Sequence, residues 1–137
     1  MINTELLQQT LTYITDHPEE HHQESWLTQC GTPSCFAGWA CALGGLQTAR
    51  VANGGSIFFE DTKCVARDAD GHEKYVRAAA EELLGLTRAQ SYALFHGDNT
   101  LEMIELMVKD LTNDGDLREW NDYARETNLA DAVLDDD

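Results

Sequence analysis

Apolar residues recur every three to four positions near the start of the chain, where Leu7, Leu11 and Ile14 form one stripe between polar neighbours. That spacing predicts an amphipathic helix over Thr4–Asp16, capped by Asn3. Pro18 disfavours helical backbone at His17 and ends it. The next stretch, "EEHHQESW", reads as a polar turn or short helix that brings Trp26 back to the core. At Thr32–Pro33 a capping hydroxyl precedes a proline, which predicts a second helix running to about Leu43 and stopped by Gly44–Gly45. Its interior is unusually small: Ala37, Gly38, Ala40 and Ala42 surround Phe36 and Trp39. A mid-helix glycine costs about 1 kcal/mol against alanine, so the pattern predicts close approach of a neighbouring element.

The middle of the chain, residues 46–72, loses this periodicity. "ANGGS" is a turn, and "SIFFE" and "KCVAR" read as two short strands joined at Asp61–Thr62. Helical spacing then returns over about Glu73–Leu84, with Asp70 as the cap, Val76, Ala80, Leu83 and Leu84 inward, and Gly85 as the stop. Three capping signals follow: "TRAQ" at 87–90, "NTLE" at 99–102 and "DLRE" at 116–119. They predict short helices joined by tight turns, with Leu101, Ile104, Val108 and Leu111 on one inner face and Leu117, Trp120 and Ala124 on the last. The expected architecture is mainly α: a compact bundle of about five or six short helices, with a small β-hairpin in the middle. Residues 1–128 form a single helical domain, and 129–137 form an acidic, frayed tail.

Charge changes the picture of function more than of fold. The chain of 137 residues carries 25 acidic against 9 basic side chains, a formal charge of −16. Such a field repels phosphate backbones and anionic lipid, so direct nucleic-acid or membrane binding is not expected. A solubilising surface, adaptation to high salt, and imitation of DNA in a basic cleft all remain compatible with it. No apolar run reaches the ~20 residues of a membrane-spanning helix. The segment "MINTELLQQTLTYITDHPEE" has neither a basic start nor an apolar core, which predicts a cytoplasmic location and reduced thiols.

The segment "QCGTPSCFAGWACALGG" concentrates the candidate chemistry. Cys35 falls in the first turn of the expected helix, where free N–H groups favour a thiolate. A nucleophile there needs a base, and His17, His21, His22, His72 and His96 are the available imidazoles. The segment differs in spacing from the motif of papain-like cysteine proteases, and the chain is far too short for that fold. Zinc is the second reading, with Cys30, Cys35 and His21 as ligands, His22 beside them, and Cys41 and Cys64 in reserve. Four residues separate Cys30 from Cys35 and no second pair follows, which is not the usual structural zinc spacing. A Cys30–Cys35 disulfide across the turn is a third arrangement, disfavoured in a reducing compartment. The fourth is that Cys35 and Cys41 are buried small hydrophobes and that Cys30 folds over the helix start. On that reading no cofactor is expected, zinc being the one candidate.

Two further patterns resolve into packing. "DLTNDGDLREWN" has Asp110, Thr112, Asp114 and Gly115 at the spacing of a calcium loop, but Asn121 stands where a bidentate glutamate is needed. "LLGLTRAQSYALF" has the outline of a helix-turn-helix, but its second helix lacks the cations a DNA reader needs. Trp26, Trp39 and Trp120 are in phase with apolar neighbours and are expected in the core.

As a series, "HPEEHHQESW", "CGTPSCFAGWA", "AAEELLGLTRAQSYALF" and "NTLEMI" resemble a group of small proteins from actinobacteria and their phages. The likeness covers roughly residues 5–110 and rests on His17, Pro18, Gln23, Trp26, Cys30, Gly31, Thr32, Cys35, Ala37, Gly38 and Trp39. It implies a setting and no established activity: accessory proteins that bind and redirect host proteins. The leading expectation is therefore a non-enzymatic accessory or regulatory protein acting on a protein partner with a basic surface. The alternatives are an acidic imitator of DNA that inhibits a nucleic-acid-binding protein, and a hydrolase or transferase using Cys35.

Overall fold

The computed structural model describes residues 2–23, 33–52 and 62–127. They form a mainly α protein with a small antiparallel sheet. Helix α1 spans Thr4–Asp16, and a 3-10 turn follows at Pro18–Glu20. Helix α2 spans Phe36–Leu43, and strands β1 Gln47–Ala52, β2 Thr62–Arg67 and β3 Glu73–Tyr75 come next. Helices α3 Val76–Leu84, α4 Arg88–Leu94, α5 Leu101–Asp114 and α6 Trp120–Glu126 complete the order. The sheet is β1–β2–β3, with Arg50 opposite Cys64 and Val65 opposite Tyr75.

Helix α1 behaves as its pattern dictates. Asn3 Oδ1 accepts the Leu6 N–H at 3.1 Å, and Leu6, Leu7 and Ile14 are buried with Leu11 at their margin. Each such side chain removed from water stabilises the fold by ~1.5–3 kcal/mol. Helix α2 lies between α1 and α3, and α1 also packs on α5. Its residues Phe36, Ala37, Ala40 and Cys41 are sealed from solvent, and Trp39 is nearly so. The small side chains of α2 let its neighbours come close. A Cβ placed on Gly44 would lie 2.9 Å from Leu83 Cδ1 and 3.0 Å from the Ala40 carbonyl oxygen. Close approach is thus seen at the helix stop.

Cys64 and Ala66 of β2 turn toward this core, whereas Val65 lies on the opposite face with Lys63 and Tyr75. Helix α5 contributes Met103, Ile104, Met107, Val108 and Leu111, with Leu101 half-buried. Helix α6 contributes Tyr123 and Ala124, with Leu117 and Trp120 packed at the edge. No helix among the described residues is long and apolar enough to cross a membrane.

Several local expectations are corrected. The second helix begins at Phe36, not at Pro33. Residues 33–35 are instead extended into a tertiary contact, in which the Ser34 carbonyl accepts the His22 N–H at 2.7 Å. Helix α3 begins at Val76, not near Glu73, because Glu73–Tyr75 pair with β2 as a third strand. Asp70 does not cap it, and Tyr75 holds the cap position. The hairpin expected in the middle exists, with "KCVAR" within β2, but its partner is Gln47–Ala52. "SIFFE", Trp26, Cys30, the Thr32 cap and the acidic tail lie outside the described residues.

The box at Thr87–Gln90 forms fully, each side chain accepting the other's backbone N–H. The next two do not form as read. Thr100, not Asn99, caps α5. Asn99 turns inward, donating from Nδ2 to the Ala93 and Leu94 carbonyls at 2.8 Å and accepting the Trp120 indole N–H. Asp116 accepts from Leu117 and Gln90 instead of capping α6, which starts at Trp120 behind Glu119. The calcium-like residues Asp110, Thr112 and Asp114 are within helix α5 and form no loop. Asp110 accepts from Arg118 Nε at 3.0 Å and from the Tyr123 hydroxyl at 2.7 Å.

Candidate functional site

The entry to α2 is where sequence places chemistry. Cys35 is the residue before the helix, in extended backbone (φ −100°, ψ 176°), and its carbonyl accepts the Trp39 N–H. Its thiol does not cap the helix. The Phe36 N–H, which a helix start leaves without an intrahelical acceptor, donates to Gln23 Oε1 at 3.1 Å. Gln23 is buried, and its Nε2 donates to the Leu94 carbonyl at 3.1 Å. One amide thereby joins the segment before α2, the start of α2 and the end of α4. His21 Nε2 lies 2.8 Å from Gln23 Oε1, so the tautomer with a proton on Nε2 completes the arrangement. Gln23 is among the residues that carry the resemblance, but neither period nor spacing gives it a role.

Cys35 is 1% exposed. Burial pushes its thiol up to about 11, against the opposite pull of the Gly38 and Ala37 backbone N–H groups. Cys41 is sealed and is pushed up to about 12 by burial, and its thiol donates to the Val76 carbonyl across 3.6 Å. Cys64 is half-buried on β2. An attacking thiol works as exposed thiolate, and Cys35 has the opposite environment on both counts. This corrects the expectation that the helix start favours its thiolate: the first-turn position belongs to Phe36, and desolvation outweighs the N–H groups.

The histidines are spread out. His17 stacks on Tyr13 and its Nδ1 contacts the Tyr13 carbonyl at 3.0 Å. His96 Nδ1 accepts the Asp98 N–H and its ring lies against Trp120. His72 is at the β2–β3 turn and His22 is exposed beside Ser34. Of the zinc candidates, Cys35 is in the core, His21 engages Gln23, and Cys30 lies outside the described residues.

A second place gathers polar groups that sequence did not connect. A cleft of about 170 Å³ opens between the β2–β3 turn and α3. Leu46, Ala66, Ala79 and Leu83 line its apolar part, and Asp68, His72, Lys74 and Glu82 its polar part. Asp68 shapes the turn: its Oδ1 accepts the Asp70 and His72 N–H groups at 2.9 and 3.0 Å. The His72 N–H, more than any other group, holds the Asp68 carboxyl below the usual range. Asp70 and His72 bring ligand-type atoms within 4.8 Å of those of Asp68, the one such group of three among the described residues. The backbone bonds to Asp68 account for this grouping as a turn. Lys74 reaches along the cleft to pair with Glu82.

No family model, curated protein or solved structure matches this chain.

Most of the cations are committed within the chain, Lys109 on the exposed face of α5 being an exception among the described residues. Arg67 pairs with Glu73, Lys74 with Glu82, Arg77 and Arg88 with Glu81, Arg118 with Asp110 and Glu126, and Arg125 with Asp122. Lys63 lies over the Tyr75 ring. The expected packing role of the α3–α4 segment agrees with this, since Arg77 covers Tyr92 at 5.3 Å and shares Glu81 with Ser91. Asp98, Glu102 and Glu105, exposed at and after the α4–α5 turn, have no ion-pair partner among the described residues.

Proposed function

We propose that this protein is a non-enzymatic accessory or regulatory protein that acts by binding a protein partner with a basic surface. The observation that carries this reading is the distribution of charge. Most of the few cations are spent on internal pairs, while Asp98, Glu102 and Glu105 stand exposed without an ion pair among the described residues, with Lys109 the one exposed cation of α5, on a chain of net charge −16. A surface of this kind steers a basic partner and repels phosphate. The resemblance to small actinobacterial and phage proteins supports a phage-borne role directed at a host protein. The buried, hard-to-ionise thiol of Cys35 supports binding over thiol chemistry.

The test is capture of partners from cell extract by the immobilised protein and by its Glu102→Gln/Glu105→Gln variant, at low and high ionic strength. The reading predicts a discrete basic protein retained at low salt, released at high salt, and retained less by the variant. Capture indifferent to both salt and charge removal contradicts it. Release of the captured protein by duplex DNA would make imitation of DNA the form the interaction takes.

A further inference from the structure

We infer that the cleft between the β2–β3 turn and α3 seats one arginine side chain of that basic partner, its methylenes over Leu46, Ala66, Ala79 and Leu83 and its guanidinium at the carboxylates of Asp68 and Glu82. The inference rests on the partner-binding reading above and adds the place of contact.

Size is the first argument. At about 170 Å³ the cleft is smaller than the ~300–1,000 Å³ of pockets that enclose whole small-molecule ligands. It is on the scale of a single long side chain. Its lining combines four apolar residues with two carboxylates, matching the methylenes and charged head of a long cationic side chain. Charge is the second argument. Two carboxylates face one ammonium there, and Asp68 is ionised throughout the neutral range because backbone N–H groups stabilise its charge. Those N–H groups use Oδ1, while Oδ2 faces His72 at 3.5 Å and keeps acceptor capacity.

Lys74 is the third argument. The chain already lays one aliphatic, cation-tipped side chain along this cleft, ending on Glu82. Both members of that pair are more than half exposed, at 51% and 69% of their side-chain surface. Exposed pairs of this kind contribute little, so an incoming cation displaces Lys74 at small cost. Arginine suits the site better than lysine because its planar fork addresses two carboxylates at once.

The experiment is an amide NMR titration of the full chain with acetyl-arginine-amide, with acetyl-norleucine-amide as the uncharged comparison. The expected result is saturable shifts centred on Leu46, Ala66, Ala79 and Leu83, absent with the norleucine probe. Lys74→Ala should tighten the arginine probe by roughly two- to fivefold, the size of one competing exposed pair. Glu82→Gln, at an exposed position that leaves the protein folded, should weaken binding of the arginine probe by roughly two- to fivefold. Shifts spread equally over Asp98, Glu102 and Glu105, or cleft shifts indifferent to Glu82→Gln, overturn the assignment. The two readings fail separately. A partner captured in a salt-dependent way whose binding ignores Glu82→Gln refutes this seat and leaves partner binding standing. Local, saturable shifts without any captured partner uphold the seat and refute the partner.

Discussion

Gln23 and Phe36, thirteen residues apart in the chain, are joined by a hydrogen bond of 3.1 Å from the Phe36 backbone N–H to the Gln23 side-chain oxygen. The small-residue helix therefore has its first N–H met by a distant buried amide and not by the Cys35 thiol at the cap position. Removing that amide leaves the Phe36 N–H buried without this acceptor, while the Leu94 carbonyl keeps the Asn99 donor. Gln23→Ala is expected to destabilise the protein by about 1–3 kcal/mol through the group left unsatisfied. Gln23→Glu keeps the acceptor but sets a carboxylate against the Leu94 carbonyl, and should cost more near neutral pH. Urea denaturation of the three proteins checks the order.

Asn99 makes a similar bridge from the end of α4 to Trp120. In Asn99→Asp a buried carboxylate faces two carbonyls, which raises its folded-state pKa above the unfolded value. The loss of stability then begins as pH rises through the ordinary aspartate range, keeps growing until pH passes the raised folded value, and is at its full size above that. Near neutrality it should reach ~3–5 kcal/mol, the scale of a buried charge left without a partner. Trp120 fluorescence followed through denaturation at acidic and neutral pH reads this directly, with the variant closest to wild type at the acidic end.

Gly44 and Gly115 separate steric from conformational cost. Gly44 has ordinary negative φ, so Gly44→Ala strains the structure only through the Leu83 methyl and the Ala40 carbonyl oxygen. Because the second is backbone and cannot swing away, the expected cost is about 1–3 kcal/mol. Gly115 has φ +71° and open space around its Cα, so Gly115→Ala costs about 1–2 kcal/mol through backbone strain alone. Shortening Leu83 to alanine should remove the methyl contact and so relieve part of the cost of the first substitution, leaving the Ala40 oxygen contact and the whole of the second, as thermal melts of the double variants would show.

The buried thiols make stability fall in alkali. Cys35 and Cys41 ionise near 9.0 in an unfolded chain but only at about 11 and about 12 when folded. Because the folded values are raised, the stabilisation is fully present below pH 9 and is lost as pH climbs toward those values. Cys35→Ala/Cys41→Ala should flatten this alkaline limb of the stability curve while lowering stability at neutral pH through the space left behind.

How much the sequence reveals depends on whether a residue's partner is local. The stripe of α1, the inward face of α5 and the Thr87–Gln90 box rely on neighbours three or four positions away, and they form as their patterns predict. Asn99 and Asp116 carry capping chemistry equally well by sequence, yet distant partners, Trp120 and Gln90, claim their side chains. Glu73–Tyr75 would extend α3 by propensity, but pairing with β2 takes them into the sheet. The segment 33–35 is extended where the Ser34 carbonyl accepts the His22 N–H and the Ser34 hydroxyl donates to the His22 carbonyl. The cleft is less legible still, since Leu46, Asp68, Lys74 and Leu83 converge only through the sheet's register and the packing of α3. The core placement of Cys35 and Cys41 follows from the alanine- and glycine-rich context, whereas the role of Gln23 has no local signal.

Alkylation kinetics with iodoacetamide, read cysteine by cysteine by mass spectrometry on the native protein at neutral pH, test the central claim that the sulfurs of the α2 segment fill space. Half-buried Cys64 is expected to react well before Cys35 and Cys41, which should be modified only as fast as the protein opens and should speed up together in mild denaturant. A Cys35 that reacts at neutral pH faster than Cys64, and without opening of the fold, would contradict the account and make that thiol a nucleophile.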